Sequence, residues 1–158
     1  MRGVCPLMQW FRVPGRPVPK GRPRVSYRGG RVVTYTPAKT RKFENLVRAY
    51  AACSRIERME GQVGLVFLFR TDSPADLSNL IKSVEDGLIG LGFEDDRQVT
   101  AILAVKRPPD GLKEGVEVAL MPARAVDRLV EEVFREGDED ATGADSKARR
   151  PRPGNTRA

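Results

Sequence analysis

Two short segments near the middle of the chain carry the residue types that could do chemistry. The first, residues 76–88, has the pattern of an amphipathic helix, with Leu80 and Val84 on its apolar stripe. Asp76 stands at the start of this helix, where its carboxylate can cap the free backbone amides. Projected at about 100° per residue, its polar residues share one arc, and they are Ser78, Lys82, Glu85 and Asp86. The second segment, residues 93–96, contains three consecutive acids, which are Glu94, Asp95 and Asp96.

Adjacent carboxylates repel one another unless a cation neutralises them. If the 93–96 loop folds back beside the helix, the acids form an oxygen-rich pocket that suits Mg²⁺. Such an ion lowers the pKa of a bound water and neutralises charge on a phosphate, and Lys82 would add a point charge beside it. The alternative is an ordinary amphipathic helix with a solvated polar face. Ser78 and Asn79 argue against that alternative, because both are poor residues for a helix interior.

Histidine is absent from the sequence, which excludes imidazole-based metal binding, nucleophile activation and acid–base catalysis. Any catalysis must therefore use carboxylates, lysine, hydroxyls or a metal held by oxygen. Cys5 and Cys53 form no CxxC pair and indicate no zinc site. We expect no membrane span and no signal peptide, so the sequence predicts a cytoplasmic protein.

Positive charge is concentrated in the first third of the chain. Residues 1–48 contain twelve Lys or Arg and a single acid, Glu44, whereas the whole chain carries a net charge of +7. The remaining residues are therefore mildly acidic. A basic segment joined to an acidic remainder indicates a polyanionic partner such as nucleic acid, with carboxylates gathered elsewhere.

The remaining sequence predicts the elements that would position these residues. Strands are expected at residues 7–13, 24–27, 31–36, 63–69, 99–105 and 116–121, with a hairpin turn at Gly29-Gly30. Residues 14–24 contain four prolines, which predicts an extended loop. Thr36 and Pro37 predict the N-cap and first position of a helix that runs to about Met59. A last helix is expected from Ala123 to about Glu136, with one stripe formed by Val126, Leu129, Val130 and Val133.

These elements do not alternate regularly as β-α-β units, which favours an α+β fold with a mixed β-sheet and helices packed on one side. One domain is expected over residues 1–137, with the basic loop at 14–24 and the acidic site at 76–96. Residues 138–158 are rich in charge, Gly and Pro, which predicts a disordered charged tail. That tail could contact DNA or simply increase solubility.

Four stretches, in this order along the chain, resemble the RusA family of Holliday junction resolvases. They are residues 17–24, residues 35–37 with Lys39 and Arg41, residues 76–82, and residues 93–99. The resemblance spans about residues 9–122. It implies an α+β homodimer that uses Mg²⁺ or Mn²⁺, and no small-molecule cofactor, to make paired nicks in four-way junctions during DNA recombination and repair. Many family members are encoded by phages or prophages.

The resemblance also implies roles for individual residues. Asp76 and Asp96 match essential metal-binding acids, Lys82 matches the catalytic lysine, and Asp95 matches a supporting acid. Phosphates of branched DNA would contact the basic loop and the helix after it, through Arg16, Lys20, Arg22, Arg24, Lys39 and Arg41. Three further polar residues would lie beside the metal ligands, and they are Ser78, Asn79 and Asp86.

One position departs from the family pattern D-x-D-N, because Ser78 stands where the second acid is usual. Glu85 lies about 20° from Ser78 around the helix and about 10 Å along it, and helical side chains lean back toward the N-terminus. We therefore predict that Glu85 supplies the missing carboxylate. The competing hypothesis is a non-cleaving protein that binds branched DNA or RNA and has lost a metal ligand at Ser78. A structural subunit of a nucleoprotein assembly is a third possibility, which leaves the clustered acids unexplained.

Overall fold

The computed structural model describes residues 8–145, with side chains described through residue 135. The strands are β1 (Gln9–Pro14), β2 (Arg24–Arg28), β3 (Arg31–Tyr35), β4 (Val63–Arg70), β5 (Val99–Arg107) and β6 (Gly115–Pro122). The helices are α1 (Ala38–Cys53), α2 (Leu77–Leu88) and α3 (Ala123–Asp145), with a short 3-10 helix at Asp96–Gln98. The fold is α+β with a mixed sheet, as predicted. The chain divides into two compact units, of which the first ends at Val126 and the second begins at Asp127.

The first unit is built on a four-stranded mixed sheet in the order β1–β6–β4–β5. Within it, β4 pairs in parallel with β5 and antiparallel with β6. Because parallel strands cannot be joined by a tight turn, the chain crosses over between β4 and β5, and α2 forms that crossover. This connection brings the start of α2 just after β4 and the 93–98 loop just before β5.

One face of the sheet packs against α1 and α2 to form the core. β4 contributes Leu65, Phe67 and Phe69, which are fully buried together with the α2 residues Leu80 and Val84. Burial of each such side chain contributes roughly 1.5–3 kcal/mol. The apolar stripe predicted for α2 is therefore the stripe that faces the core.

The two helices approach each other closely at Gly87. A Cβ atom at this position would lie 2.9 Å from the Glu44 carbonyl oxygen and 2.9 Å from the Val47 Cβ atom. Such distances are too short for any larger residue without movement of the α1 backbone. Glycine at position 87 thus holds the C-terminal half of α2, which carries Glu85 and Asp86, directly against α1.

The opposite face of the sheet remains open and apolar. Trp10 is 63% exposed, and Leu103 and Val105 are also exposed. Val66 and Leu68 lie between them on β4 and retain partial exposure. Only one face of β4 is therefore fully buried, although its nearly continuous apolar sequence is typical of a strand covered on both faces.

Strands β2 and β3 form a separate two-stranded hairpin, as predicted. Gly29 and Gly30 at its tip both have positive φ angles, +55° and +74°. Two successive positive φ angles are the requirement of a type I′ turn, which glycine meets without a steric penalty. The extended loop predicted at 14–24 is also present, since residues 15–23 form neither helix nor strand.

Helix α1 differs from its prediction at both ends. It begins at Ala38 with Pro37 in the N-cap position and no side-chain cap, so Thr36 is not the N-cap. It ends at Cys53 and not near Met59. The cause is a turn in which Arg55 adopts φ +56° while the Ile56 amide donates to the Ala51 carbonyl. This 6→1 bond with a left-handed residue is a Schellman-type helix end.

Helix α3 extends to Asp145, past the end predicted near Glu136. Extending an existing helix by one residue costs much less free energy than nucleating a new one, which accounts for the continuation of α3 through Gly137. Of the predicted stripe, Val126 is buried, whereas Leu129, Val130 and Val133 are exposed. Residues 146–158, the remainder of the predicted tail, lie outside the described residues, as does Cys5. None of the described helices is both long enough and apolar enough to cross a membrane.

Candidate active site

The first turn of α2 is organised around Asp76. Its carboxylate accepts hydrogen bonds from the Asn79 backbone amide (2.9 Å), the Asn79 side-chain amide (2.8 Å) and the Ser78 hydroxyl (2.9 Å). The predicted N-cap role of Asp76 is confirmed. The Asn79 amide and the Ser78 hydroxyl lower the pKa of Asp76. Asp76 is consequently an ionised, exposed carboxylate whose orientation is held by Ser78 and Asn79.

One turn farther along α2, three carboxylates surround the Lys82 ammonium. Lys82 Nζ lies 2.9 Å from Asp96 Oδ2, 3.2 Å from Asp86 Oδ1 and 3.6 Å from Glu85 Oε2. Asp96 belongs to the loop before β5, so its contact closes that loop onto α2. The structure thus brings together the predicted residues Lys82, Glu85, Asp86 and Asp96.

Burial divides these acids into two electrostatic types. Glu85 retains only 9% of its exposure, and this burial raises its pKa, while the nearby charges of Asp96 and Asp86 raise it further. Hydrogen bonding to the Lys82 ammonium instead lowers the pKa of Asp96. Burial lowers the pKa of Lys82, but its bonds to Asp96 and Asp86 outweigh that effect and raise it. The site therefore combines a permanent ammonium with one readily ionised and one partly desolvated carboxylate.

The acidic loop is held in place by Gln98, a residue that the sequence did not single out for this role. Its side-chain oxygen accepts hydrogen bonds from the Glu94 amide (2.8 Å) and the Asp95 amide (3.2 Å). Its side-chain nitrogen donates to the carbonyls of Met59 (3.2 Å) and Gly61 (3.0 Å). Gln98 thereby fixes the loop against the segment before β4. A Gln three residues after Asp95 is the capping-box signal that could have revealed it.

The Asp95 side chain makes a local contact within this loop. Its carboxylate accepts from the Arg97 amide at 2.9 Å and caps the 3-10 helix. Glu94 points elsewhere and pairs with Arg58. Of the three consecutive acids, Asp96 is the one that contacts Lys82.

Lys20 links the basic loop to the acidic site. Its ammonium lies 2.7 Å from Glu44 Oε1 on α1 and 2.5 Å from Asp86 Oδ2 on α2. Its backbone amide donates to the Asn79 carbonyl at 2.9 Å. Partial burial lowers the pKa of Lys20, but the contacts with Asp86 and Glu44 raise it overall. The Lys20 ammonium, which the resemblance assigns to DNA phosphates, is thus engaged by protein carboxylates.

The other predicted phosphate contacts lie on the surface. Arg16, Arg22 and Arg24 are exposed along the loop and the start of β2, and Lys39 and Arg41 are exposed on the first turn of α1. Thr40, between the last two, is buried, and its hydroxyl accepts from the Gly21 amide at 3.1 Å. These contacts attach the basic loop to α1, close to the carboxylate cluster.

The predicted metal ligands do not all meet. The hydrogen bonds described for the Asp76 carboxylate come from Ser78 and Asn79, and Glu85 contacts Lys82, not Ser78. Among residues 8–145, no group of three or more Asp, Glu, Cys or His side chains is arranged so that it could hold a metal ion. Glu85 and Asp96, however, converge on a common cation, the Lys82 ammonium. Mg²⁺ is usually bound by one or two protein carboxylates together with phosphate oxygens of the substrate. The carboxylates of Glu85 and Asp96 therefore fit a hard divalent ion.

Comparison with known proteins adds an independent observation. A family model described as endodeoxyribonuclease RusA matches residues 14–121, a range that contains every candidate site residue. A Bacillus subtilis (strain 168) protein, the uncharacterised YqaN, is 32% identical to the chain over 120 residues, which cover 61% of this chain and 84% of that protein.

Proposed function

The chain belongs to the RusA endodeoxyribonuclease family, and on that premise we propose that it resolves four-way DNA junctions by paired, Mg²⁺-dependent nicks in recombination and repair. The observation that carries this proposal is the convergence of Lys82, Glu85 and Asp96 from two separate segments of the chain. A solubilising polar face would not place an acid from the 93–96 loop on a helix lysine. Mn²⁺ would substitute for Mg²⁺, because both bind oxygen ligands.

Glu85 and Asp96 would hold the metal ion together with a phosphate of the DNA, and Asp76 and Asp95 are the further candidate ligands. When bound, the ion supplies charge neutralisation on the phosphate and lowers the pKa of a bound water. The low pKa of Asp96 keeps its carboxylate ionised as a ligand. Lys82 donates from its ammonium to the scissile phosphate or to the leaving oxygen. Ser78 and Asn79 orient the Asp76 carboxylate, and Asp86 positions Lys82 and Lys20.

Phosphates outside the reacting centre would contact Arg16, Arg22, Arg24, Lys39 and Arg41, which are exposed. Lys20 would serve this role less directly, because its ammonium is paired with Glu44 and Asp86. A surface whose charged side chains are all basic attracts the DNA backbone, and the resulting binding weakens steeply as the salt concentration rises. The basic loop and the acidic site are joined through Lys20, so DNA held by the loop would lie near the carboxylates.

Paired nicks need two active sites, and the open sheet face offers a surface for a second copy of the chain. Trp10, Leu103 and Val105 are exposed on that face beside the partly buried Val66 and Leu68. A contiguous apolar surface of this kind marks an interface on a water-soluble domain. A homodimer formed through this face would bury it and supply two symmetric centres.

The direct experiment uses a synthetic four-way junction with Mg²⁺ and purified protein. Wild type should give symmetrical nicks, whereas Asp96→Asn, Asp76→Asn and Glu85→Gln should bind the junction and cut it at least about 100-fold more slowly. Glu60→Gln, an exposed acid outside the site, is the matched control and should cut normally. Normal cutting by Glu85→Gln would show that Glu85 does not replace the acid missing at position 78.

Ser78 favours a second candidate, a protein that binds branched DNA or RNA without cutting. Its hydroxyl donates to Asp76 at 2.9 Å, where family members usually have another carboxylate. A wild-type protein that binds junctions tightly yet never nicks them with Mg²⁺ or Mn²⁺ would establish this alternative. Thermal stabilisation by Mn²⁺ in the presence of a junction, and its loss in Asp96→Asn, would favour the nuclease.

A further inference from the structure

The β2–β3 hairpin presents an apolar surface to solvent. Its cross-strand pairs place Val25 opposite Thr34 and Tyr27 opposite Val32, so these four side chains share one face. Tyr27 is 80% exposed, and Val25 and Val32 are also exposed. A two-stranded hairpin is marginally stable alone in water, and an uncovered aromatic face makes it less so. This face therefore has no evident role in the stability of the isolated chain.

The other face of the hairpin lies beside α1. Ser26, Arg28, Val33 and Tyr35 line a depression of about 380 Å³ together with Arg41 of α1. Because the two faces of a hairpin are opposite, Tyr27 is directed away from this depression. Val33 and Tyr35 on this face are 43% and 41% exposed. Both faces of the hairpin are therefore accessible to solvent, and the face that carries Tyr27 is the more exposed of the two.

Charge indicates which kind of partner the hairpin would bind. The hairpin contains Arg24, Arg28 and Arg31 and no acid. Among the described residues, none of these three arginines forms a salt bridge. Arg28 and Arg31 flank the glycine tip as a cross-strand pair. By the strand register these arginines lie on the face opposite Tyr27. A hairpin with an exposed aromatic ring on one face and unpaired guanidinium groups on the other complements a ligand that is both anionic and aromatic, which describes a nucleotide whose base is unstacked.

We propose that the β2–β3 hairpin inserts at the branch point of junction DNA, where Tyr27 stacks on an unstacked nucleobase and the arginines contact the flanking phosphates. This inference rests on the proposed function and assigns to the hairpin the recognition of branching itself. A linear duplex offers phosphates to the arginines but no exposed base to Tyr27. The tyrosine would therefore contribute to junction binding and not to duplex binding.

The experiment measures the affinity of full-length protein for a four-way junction and for a linear duplex of one arm's sequence, by fluorescence anisotropy with Ca²⁺ to prevent cutting. Stacking of one base on an aromatic side chain contributes about 5- to 150-fold in affinity. Tyr27→Ala should weaken junction binding by that factor and leave duplex binding unchanged, whereas Tyr27→Phe should retain it. Tyr50→Ala, which removes an exposed tyrosine of α1, is the matched control and should bind as wild type does.

A second measurement tests whether the Tyr27 ring stacks on a base at the branch point. With 2-aminopurine at the branch point, wild type and Tyr27→Phe should change its fluorescence on binding, and Tyr27→Ala should not. If Tyr27→Ala binds the junction as tightly as wild type does, or gives the same fluorescence change, the inference is overturned while the nuclease proposal stands. If wild type itself shows no preference for the junction over the duplex, junction selectivity fails and the inference fails with it.

Discussion

Replacement of Lys20 by methionine is expected to destabilise the fold, because this lysine joins the basic loop to both α1 and α2. Its side chain is 25% exposed, and its two partners, Glu44 and Asp86, are each 17% exposed. Exposed ion pairs contribute about 0.2–1 kcal/mol, and breaking fully buried ones costs about 3–5 kcal/mol. For this intermediate burial we expect a loss of about 1–3 kcal/mol in the free energy of unfolding, since two carboxylates lose their shared cation.

Urea unfolding at neutral pH measures this loss directly. Lys42→Met, which removes an exposed lysine of α1, is the control and should change stability by less than about 0.5 kcal/mol. The double variant Lys20→Met/Asp86→Asn should recover part of the loss, with a coupling energy of about 1–2 kcal/mol. The two possible roles of Lys20, stabilisation of the fold and binding of a DNA phosphate, lead to different results in this experiment. If Lys20→Met unfolds at the wild-type urea midpoint but binds DNA with a salt dependence reduced by about one ion, Lys20 is a phosphate ligand and the structural reasoning is refuted.

Three further predictions concern other parts of the site and the open sheet face. Because burial raises the pKa of Glu85 above its usual 4.5, its contribution to stability is complete below that pH and is lost as pH rises through the folded-state pKa. Glu85→Gln should therefore gain thermal stability relative to wild type as pH rises from about 4 to 8, and an unchanged difference would contradict the burial argument. Gln98→Ala removes four hydrogen bonds of the acidic loop and should cost about 1–3 kcal/mol in urea unfolding, together with faster amide exchange at Glu94 and Asp95. Trp10→Glu places a charge on the open sheet face and should convert a dimer into a monomer in light scattering, whereas an unchanged mass would place the dimer interface elsewhere.

Local sequence patterns correctly predicted those parts of the fold that depend on residues close together in the chain. The α2 stripe, the Asp76 cap and the Gly29-Gly30 turn each depend on residues within a few positions of one another, and each is present. The start of α1 was predicted less accurately. Thr36 and Pro37 are both favourable residues near a helix N-terminus, and propensity alone does not decide which of them occupies the N-cap position. Its end depends on Arg55 in a left-handed conformation, which a non-glycine residue does not signal in sequence.

The long-range contacts of the site could not be predicted from spacing. A helical projection placed Glu85 on the polar arc of α2, yet the side chain is buried, because α1 approaches closely at Gly87 and the acidic loop closes onto Lys82. The partners of Lys20 lie 24 and 66 positions away in the sequence, and only the packing of α1 on α2 brings them together. Composition likewise revealed a basic segment without showing that one of its lysines is paired within the protein.

The proposed nuclease activity requires Glu85 and Asp96 to share a divalent ion with a DNA phosphate beside Lys82. The most direct measurement is anomalous diffraction from crystals of the protein with Mn²⁺ and a four-way junction that carries a non-cleavable phosphate analogue at the cut site. We expect a Mn²⁺ peak within about 2.2 Å of an oxygen of each carboxylate and of the phosphate, with the Lys82 ammonium released from Asp96 toward the DNA. A junction bound at the site with Lys82 still paired to Asp96 and no Mn²⁺ peak between the two carboxylates would contradict it.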